Sequence, residues 1–136
     1  MNKRAFWWSV RVYYEDTDAG GIVYHANYLR FMERARTEWL RSLGCEQDAL
    51  RNAHRVMFVV ADLQVNYRRA AKFNDSLTVG VAIDALKRAS VILNQSVRRD
   101  DIELCHATVR VGCIDADTLA PRPIPALLHS ELACEH

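Results

Sequence analysis

A short segment ahead of a helical pattern combines an acid, two glycines and a histidine. Asp18 precedes Gly20 and Gly21, and His25 follows them. The glycines leave room for a ligand to approach the backbone, and the free N–H groups at a helix N-terminus can bind a developing oxyanion. Asp18 would lie within a few residues of that site, where its carboxylate could attack a carbonyl or activate a water molecule.

One carboxylate beside an oxyanion site is a small catalytic set, so its substrate needs a good leaving group. A thiol has a pKa of about 8.5, so a thiolate departs with little help from a general acid. The segment therefore favours hydrolysis of a thioester. Asp18 could equally cap the helix within an ordinary glycine-containing turn, and the spacing alone leaves that interpretation open.

Three other sets of polar residues are weaker candidates. His25 could orient a substrate, cap the helix or fill space. Glu15 and Asp16 are interpreted as turn or solvated residues. Lys87 and Arg88, at a predicted strand turn, could bind phosphate, although solvated turn charges are the commoner explanation.

The remaining motif signals are mostly negative. Arg68, Arg69 and Lys72 form a further basic group with the same two interpretations. The five histidines show no metal-ligand spacing, and no serine-hydrolase or phosphate-binding glycine motif is present. The four cysteines form no CxxC pair and are expected to be free thiols. We therefore predict neither a metal nor another cofactor.

Length and composition indicate a globular protein. The chain has 136 residues, and we expect a single domain over residues 1–136. Its formal net charge of +1 argues against nucleic acid as the main partner. The longest apolar run, over residues 56–61, is much too short to span a bilayer. We expect the protein to be cytoplasmic.

The hydrophobic pattern predicts the elements that position the candidate residues. Alternation over residues 10–14 indicates a first strand, which ends at the acidic, glycine-containing segment. Apolar residues at helical spacing over residues 28–43 indicate one long amphipathic helix, which Gly44 would end. A short helical piece could follow over residues 46–52.

Most of the remaining chain alternates as strands. Four strands are predicted around residues 57–68, 77–83, 91–97 and 105–113, and a short closing helix follows the prolines of residues 121–125. The first of these strands should begin buried on both faces and end half exposed. Short connections favour antiparallel pairing of consecutive strands, so the class is α+β, with a helix packed on a mostly antiparallel sheet.

The segment from the first strand into the helix also carries a family resemblance. It reads YEDTDAGGIVYHANY over residues 14–28 and ERARTE over residues 33–38. With the rest of the chain, it resembles the hotdog-fold acyl-CoA thioesterases of the 4-hydroxybenzoyl-CoA thioesterase family, in particular the branch associated with the Tol-Pal envelope system. The resemblance implies a hotdog fold, in which a sheet of about five strands wraps around one long central helix.

The resemblance also implies roles for individual residues. The family's catalytic carboxylate is the last Asp of a DTD-like motif, which corresponds to Asp18. The oxyanion donor corresponds to the backbone amide of His25. Substrate binding falls to Gly21 and Tyr24, and binding of the CoA nucleotide to Lys87 and Arg88.

The implied activity is hydrolysis of acyl-CoA, or of acyl groups that acyl carrier protein holds on the same phosphopantetheine arm. Family subunits join their sheets, with active sites at the interface, and we expect a homotetramer built from two such dimers. One alternative is a protein that binds acyl carrier protein, lipid-synthesis enzymes or envelope machinery, with vestigial hydrolysis. Another is a hotdog dehydratase, whose paired His and acid the motif matches less well.

Overall fold

The computed structural model describes residues 5–136, which form one five-stranded sheet with three α-helices. In chain order, the elements are β1 (Phe6–Arg11), a 3-10 turn (Tyr14–Asp16), α1 (Asn27–Ser42), α2 (Gln47–His54), β2 (Val56–Tyr67), β3 (Ser76–Leu86), β4 (Ser90–Arg99), β5 (Ile102–Asp115) and α3 (Ala126–Glu135).

The strands lie in the order β1-β3-β4-β5-β2, and every neighbouring pair is antiparallel. This confirms the α+β class. One part of the pairing prediction is wrong, because β2 and β3 are consecutive in the chain but do not pair. Residues 68–75 instead carry the chain across the sheet, so β2 forms the far edge beside β5.

The helix α1 packs its apolar stripe against β1, β3 and β4. The buried stripe includes Phe31, Met32, Ala35 and Trp39. With 16 residues, α1 matches the predicted span of residues 28–43 to within one residue at each end, and it is a helix of moderate length. Gly44 follows its end with a φ of +81° and donates its N–H to the Arg41 C=O at 2.9 Å, the left-handed termination that favours glycine.

The first strand begins and ends earlier than predicted. Val12 lies beyond β1, is fully buried, and donates its N–H to the Asp75 C=O. The next residues turn sharply because the Asp16 carboxylate accepts the N–H of Tyr13 at 2.8 Å. Tyr14, predicted as a strand residue, therefore lies exposed in the 3-10 turn.

The strand β2 is more exposed than its sequence suggests. Only Val56 is buried, because β2 is an edge strand with one neighbour. A register shift between Val60 and Asp62 interrupts the predicted alternation, a β-bulge of the kind common at sheet edges. Val60, Leu63 and Tyr67 remain between 38% and 49% exposed.

The smaller predicted elements are confirmed. The short helix α2 occupies residues 47–54, and α3 begins directly after Pro125. The four cysteines are free thiols, of which only Cys134 is exposed.

Candidate active site

Asp18 lies on a small antiparallel ribbon between β1 and α1. The chain reverses over residues 19–21, so that the Asp18 N–H donates to the Ile22 C=O at 2.9 Å and Thr17 bridges Val23. The Ile22 side of the ribbon in turn bridges Lys72. This pairing holds Asp18 at the exposed tip of a ribbon that leads directly into α1.

The two glycines shape the tip around the Asp18 carboxylate. The Gly20 N–H donates to Asp18 Oδ1 at 2.8 Å, and a Cβ at Gly20 would lie 3.2 Å from that oxygen. Gly21 has a φ of +83°, and open space surrounds its Cα. Glycine is therefore needed at Gly21 for the turn, while the space above it leaves the tip accessible to a ligand.

His25 follows the ribbon directly before α1. In residues 5–136, no acceptor binds the backbone N–H of His25 or of Ala26. The Tyr67 hydroxyl donates to the His25 C=O at 3.0 Å, so the end of β2 holds this peptide from the other side. Two free N–H groups at the start of a 16-residue helix suit an oxyanion.

Asp16 lies in the 3-10 turn, as the sequence indicates, but its interpretation as a solvated residue is wrong. Its side chain is only 5% exposed. Asp16 Oδ1 accepts the Asn27 side-chain N–H at 2.7 Å, and Oδ2 accepts the Tyr13 N–H at 2.8 Å. The carboxylate therefore ties the base of the ribbon to the first residue of α1.

A cavity of about 260 Å³ opens beside His25. It is lined by Ile22, Val23, His25, Tyr28, Tyr67, Arg68, Arg69 and Ala70. Partial burial raises the pKa of Tyr67, so its hydroxyl stays protonated and able to donate. The cavity thus combines apolar rings, two arginines and the free N–H groups before α1.

Two further cavities of about 290 and 250 Å³ adjoin along α1 and β2, and we call them the α1–β2 groove. Glu33, Arg36 and Val60 line both cavities. The larger one is otherwise mostly apolar, lined by residues that include Trp39, Leu40, Phe58, Val91, Leu93, Val111 and Leu132. The groove can therefore take an apolar chain.

Arg36 places a charge in the wall of this groove. Its Nη1 donates to Gln95 Oε1 at 2.8 Å, and Gln95 Nε2 donates to the Met32 C=O at 3.1 Å. Burial lowers the pKa of Arg36, although its guanidinium remains charged at neutral pH. Gln95, only 1% exposed, fixes this cation between helix and sheet.

The predicted substrate-binding residues do not all lie together. Tyr24 is exposed, and its ring centroid lies 4.6 Å from that of His25. Lys87 and Arg88 lie beyond the far end of β3, whereas Lys72 and the ribbon lie at its start. Eleven residues at about 3.3 Å each separate the two ends by roughly 35 Å.

Sequence reasoning missed Asp16, Asn27, Tyr67 and Arg36. Asp16 and Asn27 lie inside the motif, but their contact spans 11 residues and leaves no periodic signal. Tyr67 and Arg36 find their partners 42 and 59 residues away in the chain. Such contacts depend on how β2 and β4 pack beside α1.

Within residues 5–136, no group of three or more His, Cys, Asp or Glu side chains is arranged to hold a metal ion. In the same part of the chain, no helix is both long and apolar enough to cross a membrane. The expectation of a protein without metal or cofactor stays a prediction.

Known proteins share this sequence and fold. Residues 12–132 match the family model of the thioesterase-like superfamily. The chain is 45% identical over 125 residues to the acyl-CoA thioesterase YbgC of Haemophilus influenzae, covering 92% of each protein. It is 44% identical over 132 residues to the acyl-CoA thioester hydrolase YbgC of Escherichia coli O6:H1, covering 96% of this chain and 98% of that one.

A solved structure agrees with these matches. The crystal structure of a probable thioesterase from Bartonella henselae superposes with a TM-score of 0.86 at 33% identity, over 90% of this chain and all of that one. The hotdog fold implied by the resemblance is thereby confirmed. The motif, the fold and these relatives together show that the chain belongs to the thioesterase-like superfamily.

Proposed function

We propose that this protein hydrolyses acyl-CoA thioesters with the carboxylate of Asp18 and the backbone N–H of His25. The observation that carries the proposal is their placement on one ribbon before α1. The Asp18 N–H bonds to the Ile22 C=O. His25 follows Ile22 by three residues, which correspond to roughly 10 Å of extended backbone at about 3.3 Å per residue. A thioester carbonyl lying between them can meet the carboxylate on one side and the N–H on the other.

The chemistry follows from these two groups. As a general base, Asp18 takes a proton from water while the water oxygen bonds to the carbonyl carbon. As a nucleophile, Asp18 bonds to that carbon itself and forms an anhydride, which water then hydrolyses. In both routes the carbonyl electrons move to an oxyanion bound by the His25 N–H, and the C–S bond breaks to release a thiolate.

The substrate is bound in two parts. The cavity beside His25 takes the thioester and the adjoining pantetheine arm, and the α1–β2 groove takes the acyl group. This division follows from position, because the His25 cavity adjoins the free N–H groups and carries Arg68 and Arg69, whereas the walls of the groove include Phe58, Leu93 and Leu132. Acyl carrier protein presents the same arm, so it is the second carrier to test.

A second copy of the chain completes the site. The β2 edge leaves one row of backbone groups unpaired and exposes Val60, Leu63 and Tyr67, a surface that favours pairing with another strand. Two-fold symmetry would join β2 to β2 of the partner in antiparallel fashion. The family resemblance adds a second association, into a homotetramer.

This dimer would explain why Lys87 and Arg88 lie far from the His25 cavity of their own subunit. Antiparallel pairing of two β2 strands sets the Val56 end of one subunit beside the Tyr67 end of the other. Lys87 and Arg88 lie at the Val56 end of the sheet, because β4 and β5 place Ser90 next to Gly112 there. The partner subunit could thus supply this pair to the CoA nucleotide at the His25 cavity.

Replacing Asp18 tests the activity. Asp18→Asn keeps the shape of the side chain and removes its charge, so kcat for acyl-CoA should fall by orders of magnitude with KM nearly unchanged. Asp101→Asn, at the exposed β4–β5 turn, is the matched control. Thiol release from short, long and aromatic acyl-CoAs and from acyl carrier protein is measured for all three proteins. Native turnover that persists in Asp18→Asn would remove Asp18 from the mechanism.

The assembly has its own test. Leu63→Lys places a charge on the exposed face that lines the α1–β2 groove, whereas Gln64→Lys alters the opposite face of the same strand. Light scattering should show that Leu63→Lys halves the native mass and lowers activity, because only the second association remains, while Gln64→Lys keeps the native mass. Native mass for both variants would contradict pairing through β2.

We place the reaction in the cytoplasm. Cys45, Cys105 and Cys113 are buried free thiols, and burial raises the pKa of Cys105 to about 12. Unpaired cysteines are typical of proteins that work in a reducing compartment. Fractionation of cells that carry the tagged full-length protein checks this placement.

A further inference from the structure

We infer that Asp16 and Asn27 act together as positioning residues, which fix the direction of the oxyanion donor at His25. This inference rests on the proposed thioester hydrolysis. It assigns a role to a buried carboxylate that the proposed chemistry leaves unused. It also explains why Asp16 is buried, whereas the neighbouring acids Glu15 and Asp18 are exposed.

Each carboxylate oxygen of Asp16 accepts one short hydrogen bond. Oδ2 accepts the Tyr13 N–H at 2.8 Å, and Oδ1 accepts Asn27 Nδ2–H at 2.7 Å. The backbone C=O of Asp16 also accepts the Tyr24 N–H at 2.9 Å. Asp16 and Asn27 are 5% and 7% exposed, so water cannot readily replace either partner.

A short chain of bonds links this pair to the oxyanion donor. The Asn27 side chain is held by Asp16, and the Asn27 backbone N–H donates to the Tyr24 C=O at 2.8 Å. The peptide that carries the Tyr24 C=O also carries the His25 N–H. In a planar trans peptide these two groups point in opposite directions. Fixing the C=O toward Asn27 therefore aims the His25 N–H away from α1.

This arrangement predicts what each single change does. In Asp16→Asn, the charged acceptor becomes a neutral amide, and the bond to position 27 persists only if the Asn27 side chain turns its oxygen toward the new N–H. In Asn27→Asp, two carboxylates face each other at the site of a 2.7 Å bond. Both changes weaken the hold on the peptide that carries the donor. A misplaced oxyanion donor typically lowers kcat by about 100-fold, without weakening ground-state binding.

The double variant Asp16→Asn/Asn27→Asp reverses the pair and keeps its bonds. The new amide at position 16 can accept the Tyr13 N–H through its oxygen and donate an N–H to the new carboxylate at position 27. We therefore expect each single variant to lose about 10- to 100-fold in kcat with KM changed little. The double variant should recover most of that loss.

The experiment compares kcat and KM for thiol release in the native protein, the two single variants, the double variant and Glu15→Gln. Glu15 is the exposed neighbour of Asp16 and serves as the matched control. Circular dichroism confirms that each protein is folded at the assay temperature. A purely structural pair would leave kcat native in every folded variant.

Three results would overturn the inference. They are native kcat in both folded single variants, a change in KM alone, and a folded double variant with kcat no higher than the single variants. If a single variant does not fold, the folded double variant is compared with the native protein, and a kcat as low as the 10- to 100-fold loss expected of the single variants contradicts the inference. Absence of thioester turnover in the native protein would instead remove the proposed function, so the two failures are distinguishable.

Discussion

Tyr67 holds the peptide that follows His25 and offers a minimal perturbation of the site. Its hydroxyl donates to the His25 C=O at 3.0 Å, and its ring meets the rings of His25 and Tyr28 edge-on. The same peptide carries the Ala26 N–H, the second free donor before α1. Tyr67→Phe keeps the ring and removes only this hydrogen bond.

The expected loss is small but measurable. A neutral hydrogen bond contributes about 0.5–1.5 kcal/mol, and about 1.4 kcal/mol corresponds to a tenfold change in rate. Tyr67 is 46% exposed, so water can partly satisfy the His25 C=O in the variant. The preceding peptide stays held through Asn27. We therefore expect kcat to fall about two- to fivefold, within the range of one hydrogen bond, with KM nearly constant.

The assay is thiol release from one acyl-CoA under saturating and limiting substrate. Tyr14→Phe is the control, because Tyr14 is 76% exposed and stacks on Phe73 through its ring rather than its hydroxyl. It should leave kcat and KM unchanged. If Tyr67→Phe raises KM but not kcat, Tyr67 binds substrate and does not position the peptide; if neither changes, the bond has no role in turnover.

Two further predictions concern stability and reactivity. Asp115 accepts the N–H groups of Thr118 and Asp117 and pairs with Arg122, which lowers its pKa to about 2. Its stabilising effect is therefore complete above about pH 4 and lost as pH falls through about 2. Urea unfolding from pH 7 to pH 2 should show Asp115→Asn less stable at neutral pH, with the difference from the native protein shrinking in acid; a constant difference would contradict this. Cys134 is the one exposed cysteine of residues 5–136, so a disulfide reagent should label one thiol rapidly in the folded protein and the other three only after unfolding. Rapid labelling of a second thiol in the native state would show that the core opens.

Local patterns predict much of this fold because apolar residues recur at regular spacing within many of its helices and strands. The apolar stripe of α1 follows helical spacing, and Gly44 ends the helix as a left-handed residue. The strands β4 and β5 alternate over residues 90–95 and 105–113, where one face of each strand packs into the core. The pattern fails at β2, where the edge position and the bulge after Val60 decide exposure.

The same distinction between local pattern and long-range packing applies to the residues of the site. Asp18 and His25 could be proposed as site residues because a motif of adjacent residues carries them. The environment of Asp16 could not, since acids in a turn are usually solvated and its burial depends on the ribbon folding back onto α1. The separation of Lys87 from the ribbon follows only from the direction of β3.

The geometry separates the chemistry from the selection of substrate. The proposed reacting groups lie on one ribbon and directly after it. Asp16 and Asn27 anchor the base of this ribbon, and Gly20 and Gly21 keep its tip open. The surfaces that would bind the acyl group and the nucleotide lie on other elements, along α1, β2 and the β3–β4 turn. Substitutions in the groove can therefore change which acyl group binds while the carboxylate and its oxyanion donor keep their positions. Such a layout lets one fold serve many thioesters, because catalysis depends on a few local hydrogen bonds and specificity on the walls around them.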